Sequence, residues 1–130
     1  MLRQLLAASL SLWAVQALAA DHKEFDLRNA QDLVNLCAVP DGDAMAEAGR
    51  SFCYGYLSGV YQYYVAIQDR GKTSAPKICI PDPKPSRAQA AALFVDWAKA
   101  NGRYMQEPAV DSLGRFAQAT WPCTKAKAKK

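Results

Sequence analysis

Apolar residues recur along this chain at the three- and four-residue spacing of helical faces, and no stretch alternates convincingly in the two-residue rhythm of a strand. Four amphipathic segments result, separated by turn signals, and they predict a small all-α, four-helix bundle of up-and-down character. Asp26 is a suitable N-cap for the first segment, which places Ala30, Leu33, Val34 and Cys37 on one face. Pro40-Asp41-Gly42-Asp43 breaks it. The second segment runs from about Ala44 to Gln68, with Cys53, Leu57, Val60, Tyr64 and Ile67 as a continuous stripe facing the core. Gly55 and Gly59 lie four apart on it and are expected to let a neighbouring backbone approach, at about 1 kcal/mol each in helix propensity. The third begins at Ser86 with Gln89 three residues on, a capping box. It should bury Ala90, Leu93, Phe94, Trp97 and Ala98 before Asn101-Gly102 supplies a left-handed C-terminal cap. Pro108 suits the first turn of the fourth, whose apolar face is Val110, Leu113, Phe116 and Ala117 and which stops at Trp121-Pro122. Phe94, Trp97, Phe116 and Trp121 fall on these stripes and therefore read as core rather than as a ligand box.

Residues 1–19 have a different character. Arg3 gives a basic start, an apolar run from Leu5 to Leu18 is broken only by Ser9, Ser11 and Gln16, and Ala17-Leu18-Ala19 forms a small-x-small box. The run falls short of the roughly 20 apolar residues that a spanning helix needs. The expectation is a secretory signal cut after Ala19, one helical domain over residues 20–124, and a mature chain exported to the periplasm or beyond. Charge supports no nucleic-acid partner. Of 16 basic residues, Arg3 leaves with the signal, and Lys125, Lys127, Lys129 and Lys130 sit in the last six positions, so the body carries 11 basic against 12 acidic residues, a net −1. The basic balance belongs to a terminal tail, residues 125–130, of the kind that is usually solvated and disordered.

Cys37, Cys53, Cys79 and Cys123 contain no CxxC pair suited to zinc, and an exported chain meets an oxidising compartment, so they read as two disulfides. Spacing alone leaves three pairings open. In an up-and-down bundle Cys37 and Cys53 lie toward one end and Cys79 and Cys123 toward the other, which favours Cys37 with Cys53 and Cys79 with Cys123. A loop folded back along the second helix would instead bring Cys53 to Cys79. That loop, Asp69 to Pro85, is the longest in the chain and is pinned by Cys79. Pro76, Pro81, Pro83 and Pro85 stiffen it, which lowers the entropy lost on binding.

Catalytic groups are sparse. The single histidine, His22, falls two or three residues from the expected new N-terminus, outside the folded body, and no Ser-His-Asp or Cys-His arrangement or haem-attachment motif is present. Asp96 and Asp111 lie beside buried helical stripes without a cleft to make them a carboxylate pair. No cofactor or metal is implied, and the chain reads as a binding protein rather than an enzyme. Tyr54, Tyr56, Tyr61, Tyr63 and Tyr64 all sit on the second helix and point in several directions around it, so some of them must be exposed, and tyrosine is enriched where one protein meets another.

The ordered set Cys37, then Phe52-Cys53-Tyr54-Gly55-Tyr56-Leu57-Ser58-Gly59, then Cys79-Ile80-Pro81, and finally Trp121-Pro122-Cys123 resembles the Rap/Tai family of type VI secretion immunity proteins over most of the mature chain. The resemblance implies a helical, disulfide-bonded periplasmic protein that binds and blocks a peptidoglycan-cleaving amidase toxin. The lysine tail and the Pro81-Asp82-Pro83-Lys84-Pro85 run depart from the family pattern. Inhibition is expected to work by occlusion, with the stiffened loop around Lys72 to Pro85 and the exposed tyrosines entering the toxin's cleft. The residues expected at the contact are Tyr61, Tyr63, Lys77 and Lys84. A second copy of the chain, as a homodimer, is a further partner to be weighed. The alternative function is a periplasmic acid-stress chaperone of the HdeA type, also small, helical and disulfide-bonded, which would respond to the self-repulsion that builds when carboxylates lose their charge.

Overall fold

The computed structural model describes residues 22–69 and 77–124. The expected signal peptide, the basic tail and the part of the long loop at 70–76 lie outside the described residues. Four helices form, α1 (Ala30–Cys37), α2 (Ala46–Asp69), α3 (Arg87–Ala100) and α4 (Ala109–Thr120), with short 3₁₀ turns at His22–Asp26 and Gly102–Tyr104 and no strand among the described residues. The fold is the all-α, four-helix arrangement that the periodicity predicts.

The first helix starts later than expected. Asp26 closes a 3₁₀ turn rather than capping a helix, and Leu27 follows at a φ of 46°, in the left-handed region where a helix cannot continue. His22 belongs to the same turn, its ring 6.2 Å from that of Phe25, and so joins the folded body instead of lying outside it. The N-cap is Asn29, whose side chain accepts a hydrogen bond from the Asp32 backbone N–H at 3.1 Å. The next two free donors of α1 are met from a distance: Ala30 N–H donates to the Glu107 carbonyl at 2.8 Å and Gln31 N–H to that of Met105 at 3.0 Å.

Asp32 is the buried charge of this corner. Its carboxylate accepts from the Arg28 backbone N–H and from the Arg28 guanidinium in a fork, at 2.8 to 2.9 Å. The Arg28 side chain itself is 55% exposed. The guanidinium hydrogen bonds hold the Asp32 carboxyl below the usual carboxylate range, against the opposing effect of its burial. A lowered folded-state pKa means that this contribution is complete above the unfolded pKa, about 3.9 for Asp, and is lost as pH falls through the folded value. Asp32→Asn is expected to cost about 1–2 kcal/mol at pH 7 and to flatten this part of the acid limb below about pH 4, as read by urea titrations across pH.

One core joins three of the helices: Leu33 and Val34 from α1, Phe94 and Ala98 from α3, and Leu113 and Phe116 from α4, with Met105 between the last two. Phe94 meets Phe116 edge to face at 5.5 Å, and Trp97 stacks flat on Tyr104 at 5.9 Å. Two residues assigned to the core by period are exposed, Leu93 at 42% and Val110 at 47%. Ala91 on α3 and Ala109 and Ser112 on α4 are buried beside Phe94, Leu113 and Phe116, so the contact faces are centred on these residues and Leu93 and Val110 fall outside them.

Helix ends follow their chemistry with two exceptions. Ser86 Oγ accepts from Gln89 N–H at 3.1 Å while Gln89 Oε1 accepts from Ser86 N–H at 2.8 Å, completing the capping box at the start of α3. The expected left-handed cap at its end is absent: Asn101 has φ −129°, its side-chain amide donates to the Trp97 carbonyl at 2.8 Å, and the chain runs on into the second 3₁₀ turn. Pro108 stands one residue before α4, at the cap position, where its carbonyl accepts from Asp111 N–H at 3.0 Å.

The glycines of α2 also part from expectation. A Cβ at Gly55 or Gly59 would meet nothing within 4 Å, so neither admits a neighbouring backbone. Gly49 does, because a Cβ there would lie 2.8 Å from Val39 Cγ2 and 3.1 Å from the Leu36 carbonyl oxygen. Gly49→Ala should therefore destabilise by about 1–2 kcal/mol through overpacking, whereas Gly55→Ala should stabilise by up to about 1 kcal/mol through helix propensity. Denaturant midpoints of the two variants would show opposite shifts.

Candidate partner-binding groove

Two disulfides form, Cys37–Cys53 and Cys79–Cys123, and the described chain has no free cysteine. The first fixes the end of α1 against α2, about two turns into that helix. The helices it joins differ in length: α1 has eight residues, about 12 Å, and α2 has 24, about 36 Å. Beyond Cys53 the apolar stripe of α2 therefore outruns the helix that covers its start. Tyr56, Leu57 and Val60 still pack against the core, while Tyr64 and Ile67, further along the same stripe, do not. The expected core stripe is thus buried at Cys53 and half-exposed at Leu57, Val60, Tyr64 and Ile67.

The uncovered half of the stripe forms one wall of a groove of about 630 Å³. The opposite wall is α4, through Val110, Gly114, Ala117, Gln118 and Trp121. Both helices pack on α1 and α3 but hardly touch each other, and the groove is the gap between them. Leu113 and Phe116 reach it from the core side.

The end of the groove is lined by the second half of the long loop, which is anchored at several points rather than merely pinned. Ile78 pairs with Pro122 in an isolated antiparallel bridge, and Cys79 N–H donates to the Trp121 carbonyl at 2.8 Å, next to the Cys79–Cys123 disulfide. On the other side the Tyr64 hydroxyl accepts from the backbone N–H groups of Lys77 and Ile78, at 3.1 and 3.2 Å. Tyr64 is therefore a strut between α2 and the loop. Ile78, Ile80 and Pro85 turn apolar surface toward the groove.

All four residues singled out from the sequence as contact residues, Tyr61, Tyr63, Lys77 and Lys84, line this one groove. Tyr63 is the most exposed large apolar side chain among the described residues, at 69%. The Lys84 ammonium lies 5.3 Å from the centroid of the Tyr61 ring, a cation–π arrangement that holds both at the rim. The α4 wall is not legible in the periodicity of the sequence, because Ala117 and Trp121 pack against the core as expected and face the groove as well, and of the three expected core positions only Val110 is exposed. The available signal was the length mismatch between the first two apolar segments, which leaves half of the longer one without a cover.

Such a surface has the chemistry of recognition. It is concave, mostly apolar and edged by tyrosine hydroxyls and two ammonium groups. Among the described residues no cluster of histidine, cysteine and carboxylate side chains could hold a metal ion, and no helix is long and apolar enough to cross a membrane. Asp96 pairs with Lys99 at 3.0 Å and Asp111 lies exposed on α4, so neither enters a cleft. Neither the curated proteins nor the solved structures contain a match to this chain. The model of one family does match it, that of the Rap1a immunity proteins, over residues 29–123, a span that takes in all four helices, both disulfides and the whole groove. The chain belongs to the Rap1a immunity protein family, and its role is immunity to a type VI secretion effector.

Proposed function

We propose that this protein is exported to the periplasm, where it binds a type VI peptidoglycan amidase toxin and occludes its active-site cleft. The contact surface in this reading is the α2–α4 groove with its rim of Tyr61, Tyr63, Lys77 and Lys84. The observation that carries it is the groove itself: an open apolar surface at the centre of the family-matched region, with an exposed tyrosine at its edge. Two disulfides in a domain of this size suit an oxidising compartment, and residues 1–19 supply the leader that would deliver the chain there. The family match favours this role over the acid-chaperone alternative.

Occlusion needs rigidity more than chemistry. A wall held by a disulfide, a backbone bridge and the Tyr64 strut loses little freedom when a partner docks, so more of the contact energy remains as affinity. The test is titration of the oxidised protein with a type VI amidase effector, followed by an assay of peptidoglycan cleavage. The reading requires tight binding that suppresses cleavage at one equivalent. Full amidase activity in the presence of excess protein would refute it.

A further inference from the structure

We propose that the α2–α4 groove is the seat of a helix from the protein partner, one whose apolar face is flanked by carboxylates; this rests on the groove being the toxin-contact surface. The shape of the groove follows from helix lengths. The part of α2 that lines the groove, from Leu57 to Gln68, spans about three turns, and α4 faces it across the gap. That is the vacancy that a helix fills when it lays side chains at i, i+3, i+4 and i+7 into an apolar trough.

Charge selects the flanks. Among the described side chains that line the groove, Lys77 and Lys84 are the charged ones, and no carboxylate lies among them. Neither groove lysine takes part in the ion pairs Arg28–Asp32, Arg50–Asp41, Lys99–Asp96 or Arg115–Glu107. Two ammonium groups at the rim of an apolar trough favour an occupant that brings negative charge. The other occupants fit less well. A second copy docked groove to groove about a two-fold axis would bring four lysines together. The chain's own tail carries Lys125, Lys127, Lys129 and Lys130, and residues 1–19 are apolar but include Arg3 and no carboxylate.

The probe is a synthetic amphipathic helix of about 16 residues, long enough to be helical in water. It carries leucine on one face and glutamate on both flanks, and a twin carries lysine in place of glutamate. Each is titrated into the oxidised full-length protein and followed by amide chemical shifts. The glutamate peptide should bind about tenfold more tightly than its twin and should shift residues on α2, α4 and the segment 77–85. Lys77→Glu with Lys84→Glu should reverse the preference. Gly114→Leu places a side chain on the α4 wall where a Cβ meets nothing within 4 Å, so it should keep the fold and weaken the glutamate peptide about tenfold by filling the trough. Equal affinity for the two peptides, no binding of either, shifts confined to other surfaces, or self-association that the lysine changes abolish would each overturn the inference. If the peptides are not discriminated while the amidase effector still shifts the groove, the helix inference fails and the immunity reading stands; an effector that does not bind defeats the reading itself.

Discussion

Replacing Cys79 and Cys123 together by alanine is expected to cost about 4 kcal/mol of folding stability and, with it, the effector-binding surface. The stability figure follows from chain entropy, because the bridge closes a sequence separation of 44 residues in the unfolded state. Cys37–Cys53 closes only 16, and its removal should cost about 3 kcal/mol. The functional consequences should differ more than the stabilities. Cys79–Cys123 sits behind the segment that ends the groove, and without it that segment keeps the Ile78·Pro122 bridge, the Tyr64 strut and the Lys84–Tyr61 contact but no covalent tie. Cys37–Cys53 lies at the far end of α2, where it locks α1 in place. At a denaturant-free temperature where both double variants remain folded, the Cys79/Cys123 variant should lose effector affinity and the Cys37/Cys53 variant should retain it. Denaturation midpoints together with effector titrations separate the two effects. Equal loss of affinity in both would mean that the groove end is not a contact.

The second large effect concerns the rim. Tyr61→Ala, Tyr63→Ala, Lys77→Ala and Lys84→Ala in one chain should weaken effector binding by roughly 100-fold, about 3 kcal/mol. Most of that belongs to the tyrosines, because exposed lysines at an interface rim contribute little each and act chiefly on association rate and its salt dependence. The quadruple variant should fold normally, since Tyr63, Lys77 and Lys84 are exposed and the four side chains anchor none of the described backbone hydrogen bonds. Tyr64→Phe provides the complementary measurement. It deletes a hydroxyl that accepts two backbone N–H groups and should loosen the segment at Lys77 and Ile78 without removing any apolar contact surface. Unchanged effector affinity in the quadruple variant would remove these residues from the contact.

Much of this fold can be read from local chemistry. The capping box at Ser86 and Gln89, the stop at Trp121 and the helical stripes of α1 are set by nearest neighbours, and they appear where the pattern places them. The ends of a bundle that the cysteines occupy favour the pairing that forms, a coarse property that survives errors in helix boundaries, while the Cys53–Cys79 alternative is settled only by the path of the long loop. What escaped was tertiary. The start of α1 depends on the Glu107 and Met105 carbonyls and on a left-handed Leu27, none of which leaves a mark near Asp26. Leu93 and Val110 look like core by period, yet burial is decided by which side of each helix meets its neighbour, and small residues such as Ala91 and Ala109 mark that side poorly. Gly49, inconspicuous beside the Gly55–Gly59 pair, is the glycine at a close approach, because α1 crosses α2 near its start.

The groove shows the same division. Its rim residues were chosen for exposure and chemistry, and the structure brings Tyr61, Tyr63, Lys77 and Lys84 to one surface. Its α4 wall was invisible because a half-buried stripe and a fully buried one have the same periodicity. The difference between them arises from the eight-residue length of α1, which ends at Cys37 and leaves the apolar stripe of α2 beyond Val60 uncovered by it.

The most direct test of the account is amide chemical-shift mapping of the oxidised protein titrated with a type VI peptidoglycan amidase effector. Perturbations concentrated on residues 57–68, 77–85 and 110–121, with α1 and the 3₁₀ turn at His22–Asp26 left unchanged, are the predicted result. Perturbations confined to α1 and that turn, with the groove silent, would contradict it.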